Sequence, residues 1–376
     1  MKKIKICFVT SCSPEYLGGY SLYYKNLIKA LKKERNFEIS WVYLGKLNRD
    51  YVEDNVKYFE IKTNSIKSFT WLGEALTLSR FFRENYFDLI NSTISLRKAF
   101  YKKRADQRMI QTFHGTAYYF NKNHFSRFNF IEKILLSPIL FFAWLRERPH
   151  EETDKIICVS EKVKRQVEEL YGDDFKIKVI RAGVDLKDFK PRTKKSVRRD
   201  LMLEIDKIYG LYVGRGGFWT KGLDRTIEMG KELYKRNANF RLLIIGPDID
   251  KVGGMVKEPF ITFLRDISRK DMHLYYSASD IFFCMSRYEG GAPTLVVSEA
   301  MASGCFLVCS EDSEQEILED KKNSIIVDDF GKKGMEKVLK FYGDKKTREN
   351  IIKNSIKTIN KISLEKWGRD YLNILK

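Results

Sequence analysis

The sequence predicts an α/β fold made of two successive Rossmann-like domains, and three observations predict it. Short apolar runs rich in β-branched and aromatic residues alternate with segments of helical period, the pattern of a parallel sheet with crossover helices. The pattern restarts near residue 210, after a cationic stretch at residues 189–196 (FKPRTKKS). The length, 376 residues, suits about two domains at roughly 150 residues each.

Taken in order, residues 4–10 read as a first strand, followed by a loop containing Gly18 and Gly19. Tyr24, Leu27, Ile28 and Leu31 then recur at three/four spacing, as the buried face of a helix does. Residues 37–44, 87–91, 109–113, 155–159 and 178–181 read as further strands. In the second half, residues 210–214 form a strand running into a glycine loop, and residues 223–236 form a helix. Later strands fall at residues 240–246, 281–285, 306–310 and 325–327. No short internal repeat occurs.

Composition narrows the function. With 43% hydrophobic and 14% aromatic residues, global disorder is excluded. Lys and Arg number 69 against 50 Asp and Glu, a net charge of +19. Such a surplus favours an anionic partner, or else simply solvates the surface. Six cysteines form no CxxC pair, and Cys7, Cys158, Cys284 and Cys309 lie in apolar runs. Reduced core thiols of a cytoplasmic protein are expected, with neither a disulfide framework nor a zinc site. The N-terminal stretch alternates apolar residues with Lys as a core strand does, so it is not read as a signal peptide. The longest apolar run, residues 134–145 (ILLSPILFFAWL), falls short of the roughly 20 residues that span a bilayer.

In open parallel sheets, ligands bind beyond the carboxyl ends of the strands. Chemistry is therefore sought at Gly18-Gly19, at His114, at Arg215 and in the loop after Met285. Residues 286–304 (SRYEGGAPTLVVSEAMASG) carry a loop and then a helix beginning near Pro293-Thr294. The free amides of Thr294, Leu295 and Val296 can hold a phosphate. Glu299 can accept hydrogen bonds from a ribose, and Glu289 from a sugar. Against this stands the reading of a solvated loop glutamate and a salt-bridged helix glutamate. In residues 213–223 (VGRGGFWTKGL), Gly214 opens a turn flanked by Arg215 and Lys221, two cations able to neutralise a diphosphate. Two ordinary surface cations are the competing reading. Neither GxGxxG nor GxxxxGK[ST] is present, which argues against a P-loop nucleotidase.

Arg215…Lys221-Gly222, followed some 70 residues later by SRYEG…SEAMASG, resembles the retaining glycosyltransferases of the GT-B fold, glycosyltransferase family 4 (glycosyl transferases group 1). Other pieces follow that family's order: Gly18-Gly19, residues 111–116 (QTFHGT), 155–160 (KIICVS), 179–185 (VIRAGVD), 280–289, Glu316-Ile317…Asn323 and Trp367…Tyr371. The resemblance implies two domains facing each other across a cleft. Residues 1–190 would bind the acceptor and residues 191–358 the nucleotide sugar, with residues 359–376 returning to the first domain as a helix. It implies transfer of a hexose from a UDP- or GDP-sugar to a glycan or lipid-linked acceptor. Configuration would be retained, without cofactor or metal, in cell-surface polysaccharide or glycolipid synthesis. His114, Arg215, Lys221 and Glu289 would be catalytic. Gly18, Gly19, Gly214, Gly291, Thr294, Leu295, Val296 and Glu299 would bind substrate.

One departure stands out. The family separates its two glutamates by seven residues, whereas nine separate Glu289 from Glu299, so the family's spacing falls on Gly291. The loop reads as two residues longer, with Glu289 still reaching the sugar. An epimerase or phosphorylase of the same fold is the alternative. No nucleic-acid-binding pattern occurs, so no nucleic acid partner is expected. His124, His150 and His273 lack metal-ligand spacing, and Asp88 reads as structural. Residues 118–150 admit two readings: a helix pair broken at Pro138, or a basic-aromatic surface touching an anionic membrane at the inner face of the cell. Lys102-Lys103-Arg104 would strengthen the second.

Overall fold

The computed structural model describes residues 3–16, 18–32, 36–63, 70–96, 101–214, 218–246, 254, 256–265 and 267–375. The chain divides into two compact units, Met1–Arg181 with Gly368–Lys376, and Ala182–Trp367.

The first unit holds β1 (Ile4–Thr10), β2 (Phe37–Gly45), β3 (Arg49–Glu53), β4 (Val56–Lys62), β5 (Leu89–Ser92), β6 (Arg108–Phe113), β7 (Lys155–Cys158) and β8 (Ile177–Val179). Their order in the sheet is β3-β4-β2-β1-β5-β6-β7-β8. All neighbours are parallel except β3 and β4, a hairpin turned through Asp54 and Asn55 in the left-handed region. Ile6, Cys7, Phe8 and Val9 of β1 are fully enclosed, because helices cover both faces of a parallel sheet. Residues 368–375 of the last helix, Leu364–Leu375, pack here as well. The Tyr371 hydroxyl bonds the Asn91 amide, which accepts from Thr112 Oγ1 at 2.9 Å.

The pair β3–β4 escapes the sequence reading because β3 is an exposed edge with a polar alternation. Pro138 does not break its helix, which runs unbroken from Phe130 to Glu147. A proline deprives the carbonyl four residues earlier of its amide partner. Here that carbonyl, of Ile134, accepts from the Ser137 hydroxyl at 2.7 Å instead. The actual break lies at Ser126–Asn129, after the helix Ala117–Phe125. Asn129 and Glu132 close a reciprocal capping box there, both bonds at 2.9 Å.

The second unit holds β9 (Ile208–Val213), β10 (Phe240–Ile245), β11 (Ile261–Leu264), β12 (Ile281–Cys284), β13 (Phe306–Ser310) and β14 (Ile325–Val327). The order is β11-β10-β9-β12-β13-β14, all parallel. Counted from β9 this is 3-2-1-4-5-6, the strand order of a dinucleotide-binding domain. Phe283 packs with Phe240, Phe260 and Met285 on one face, and Phe282 with Tyr276, Val297 and Met301 on the other. The six cysteines are free thiols, five of them buried. Among the described residues, no helix is long and apolar enough to cross a membrane.

Candidate functional site

Strand order reverses in the second sheet between β9 and β12, so their carboxyl ends open the crevice where such sheets bind ligands. Gly214 follows β9 directly. Arg215 lies outside the described residues. The chain re-enters at residue 218 and turns through Gly222, whose φ of 67° is left-handed. A Cβ on Gly222 would stand 1.8 Å from the Met285 carbonyl, so only glycine lets this turn lie against the end of β12. The turn is also clamped from the opposite loop. Arg287 makes two bonds to the Asp224 carboxylate, at 2.8 and 2.6 Å, and its amide donates to the Thr220 carbonyl.

This junction brings Lys221 and Glu289 together. Lys221 Nζ donates to Glu289 Oε2 at 2.6 Å, and Ser286 Oγ donates to Oε1 at 2.5 Å. Glu289 is buried while Lys221 keeps 38% of its side chain exposed. The two side chains assigned from the sequence to diphosphate and sugar are thus ion-paired with each other. Gly291 lies between them and the next helix, only partly covered.

That helix is Leu295–Ser303, with Pro293 outside it and Thr294 at the N-cap. The Thr294 side chain makes no capping bond. Its hydroxyl and that of Ser298 are buried without a hydrogen-bond partner, which is uncommon for buried polar groups. The Thr294 amide donates to Gln315 Oε1 at 2.9 Å. Leu295 and Val296 supply the first-turn amides. Glu299 is 2% exposed. Its Oε1 takes a charged bond from Arg269, while its Oε2 has no partner. The neighbouring Tyr276 phenol is pushed up by burial first and then by the Glu299 carboxylate. The salt-bridge reading of Glu299 therefore describes one carboxylate oxygen, while the other makes no ion pair and has the Tyr276 phenol beside the carboxylate. Arg269 and Gln315 escaped the sequence reading, since no local spacing ties residues 30 and 21 positions apart.

The first sheet reverses between β1 and β5, and a cavity of about 310 Å³ lies there. Ser11 and Cys12 follow β1, Thr93 and Ser95 follow β5, and Tyr20 and Glu147 close the walls. Glu147 Oε2 accepts from the Ala117 amide at 2.6 Å. Burial pushes its carboxyl up to about 7, against the opposing pull of that amide and of Arg146. Glu74, also in the wall, is raised by burial and held by Arg146 at 3.3 Å. Neither glutamate belongs to a motif; both arrive on helices distant in sequence.

His114 follows β6 and packs against Tyr20 and Tyr23, with ring centroids 4.6 and 4.3 Å away. Both tyrosines belong to the helix Gly19–Leu31, whose N-cap is Gly18. A Cβ on Gly19 would meet nothing within 4 Å. Burial lowers the imidazole to about 3, so His114 is neutral at physiological pH, and its Nε2 is enclosed without a partner.

Two consecutive segments match known families: residues 17–188 match Glycosyltransferase Family 4, and residues 194–358 match Glycosyl transferases group 1. With the two parallel-sheet units, these matches make the chain a glycosyltransferase of the GT-B fold. Among curated relatives it is similar to the spore coat protein SA of Bacillus subtilis, 27% identical over 48% of this chain. The match spans only about half of that relative, 53% of its length. It is also similar to an Escherichia coli UDP-Gal:alpha-D-GlcNAc-diphosphoundecaprenol alpha-1,3-galactosyltransferase, 23% identical over 69% of this chain and 68% of that one. Among solved structures, sucrose-phosphate synthase from Thermosynechococcus elongatus superposes with a TM-score of 0.78 at 16% identity, covering 99% of this chain and 98% of its own. HepE of Anabaena, solved with UDP-glucose, gives 0.69 at 13% identity, covering 99% of each. At these identities the structures speak for the fold alone.

Proposed function

We propose that this glycosyltransferase moves a hexose from a UDP- or GDP-sugar to an acceptor hydroxyl with retention of configuration, in the synthesis of a cell-surface polysaccharide or glycolipid. The observation that carries this reading is the start of helix Leu295–Ser303, where the Thr294 and Ser298 hydroxyls lie buried and unpartnered, at the switch point of the second sheet. A phosphate there gains the helix dipole, first-turn amides and two hydroxyl donors. Lys221 would release Glu289 to meet the diphosphate, stabilising its charge as it leaves. Arg215 would add a second cation. Freed Glu289 would bind the sugar, and the second oxygen of Glu299 a ribose hydroxyl. Gly214 and Gly291 would let the backbone approach the donor. This cationic field does the work a divalent ion does elsewhere, so the reading has no metal step.

The first unit would receive the acceptor, with its hydroxyl-lined cavity holding the acceptor head and neutral His114 serving as a hydrogen-bonding group beside Gly18 and Gly19. A UDP-sugar donor and a lipid-linked acceptor both fit the name of the Escherichia coli relative. These relatives do not favour the epimerase or phosphorylase alternative.

Thermal melting with UDP-, GDP- and ADP-sugars tests the donor site. A ligand at a hundred times its Kd stabilises the folded state by about 2.7 kcal/mol. A raised Tm with a UDP- or GDP-sugar, lost in Lys221→Met, is expected. No shift with any of these sugars overturns the reading. Release of nucleoside diphosphate that depends on an added acceptor separates a transferase from an epimerase.

A further inference from the structure

We propose that the cavity of the first unit admits the acceptor as a sugar ring free of anionic groups, held through its hydroxyls by Glu74 and Glu147, and turns away acidic sugars. The proposal rests on the reading of this unit as the acceptor side and adds the chemical class that the cavity selects. At about 310 Å³ the cavity has room for a small polar ligand. Glu74 reaches it from the helix Thr70–Glu84, and Glu147 from the end of the helix Phe130–Glu147. Two carboxylates distant in sequence therefore share one wall.

Two features of that wall set what it can bind. The first is charge. Among the described residues that line the cavity, the one cation is Arg146, whose guanidinium already bonds Glu74 Oε2 at 3.3 Å. Two carboxylates against one engaged guanidinium run counter to a chain with a surplus of +19. The second feature is hydrogen-bond polarity. The Thr93 hydroxyl donates to the Val9 carbonyl at 3.2 Å, and the Ser95 hydroxyl donates to the Arg148 carbonyl. A hydroxyl has a single proton, so both keep only lone pairs for a ligand. Glu147 Oε2 accepts from the Ala117 amide at 2.6 Å, and a carboxylate has acceptor capacity beyond one such bond. These four side chains together present acceptors that ask for a donor.

A pyranose ring answers that pattern, since every hydroxyl carries a proton to donate and the C–H face is apolar. Tyr16 and Tyr20, each 43% exposed, belong to the same wall and offer aromatic surface to such a face. Tyr20 also packs on His114, so a ring seated in the cavity lies one tyrosine away from that imidazole. A phosphate or a uronate brings the opposite chemistry: it only accepts, and it sets a negative charge against two carboxylates. Like charges at close range in a partly enclosed site disfavour each other. Burial raises both carboxyls, Glu147 up to about 7, so the wall already holds its own negative charge at a cost.

Cys12 supplies the readout, because it lines the cavity and is the one cysteine of the six that is not buried. Its alkylation by N-ethylmaleimide in the full chain, followed by peptide mass spectrometry, reports occupancy of the cavity without any turnover. The probes are the methyl glycosides of glucose, galactose, mannose and N-acetylglucosamine, set against methyl glucuronide, methyl galacturonide and inorganic phosphate. The measurement is made at about pH 8, where Glu147 is charged. At least one neutral glycoside should protect Cys12 at a concentration about tenfold or more below that needed by either uronide or by phosphate. Glu147→Gln, and Glu74→Gln/Glu147→Gln more fully, should narrow that gap. In the native chain alone, equal or stronger protection by an anion, or no protection by any neutral glycoside, overturns the proposal. So does a gap that both folded variants leave intact. Acceptor-dependent release of nucleoside diphosphate and the UDP-glucose-induced change in Tm test the transferase reading separately, so a failure of selection is distinguishable from a failure of that reading.

Discussion

At the scale of single residues, burial rather than motif membership decides what the ionisable groups can do. His114 is lowered to about 3 by burial, so it enters any reaction as a neutral ring. Glu147 moves the other way, raised to about 7 from an ordinary 4.5. A carboxyl that holds its proton longer in the folded state makes stability fall as pH rises between those values, by up to about 1.4 kcal/mol per pH unit. The groups facing it are the Ala117 amide, Arg146 and Tyr171. Glu147→Gln should therefore flatten the decline in urea-unfolding stability between pH 5 and pH 8. A variant whose pH profile overlays the native one would show that Glu147 titrates normally. His114 has the opposite sign: its contribution is lost as pH falls from 6.5 toward 3.

At the scale of elements, the donor-side crevice depends on how closely two loops approach. Gly222 combines a left-handed φ with a contact that forbids a Cβ. Gly222→Ala should cost about 1–2 kcal/mol for the backbone conformation alone, and more because the Met285 carbonyl must move. Lys221, the adjacent residue, would move with the turn. We expect a lower urea midpoint together with a loss of transfer of about tenfold or more, since small misplacements of a reacting group are costly. Native turnover in a destabilised variant would detach Lys221 from the chemistry. Among helices, the stretch 117–147 shows how local polar groups override a proline. Ser137 rescues the carbonyl that Pro138 strands, while Asn129 and Glu132 start a new helix where no proline stands. The N-x-x-E signature at residues 129–132 was present in the sequence and gives that boundary.

At the scale of the whole molecule, each unit has its own point of strand-order reversal, and the candidate groups gather at both. If the donor belongs to the second unit, UDP-glucose should slow amide exchange in peptides around residues 218–222 and 286–303. Peptides lining the first unit's cavity, around residues 93–95, should be unaffected until an acceptor is added. Protection spread evenly over both units, or confined to the first, would contradict that division. The net charge of +19 adds a field that favours anionic partners at both places.

The sequence by itself determined the alternation of strands and helices, the two parallel sheets and the order of the motif residues. Core strands and helix faces are written in spacings of two and of three to four residues, so Ile4–Thr10, Phe306–Ser310 and Leu223–Arg236 could be read locally. The exposed β3 and the short β11 could not, because partial burial weakens the alternation. The sequence also marked Lys221, Glu289 and Glu299 as a set. Only the tertiary structure decided their partners: Lys221 on Glu289 and Arg269 on Glu299, with the second Glu299 oxygen outside the ion pair. It alone brought Glu147 to a cavity wall and left apolar side chains of helix Phe130–Glu147 exposed. Those outcomes depend on strand order and turn geometry, which set residues 30 to 72 positions apart beside one another, a distance at which no local spacing leaves a trace.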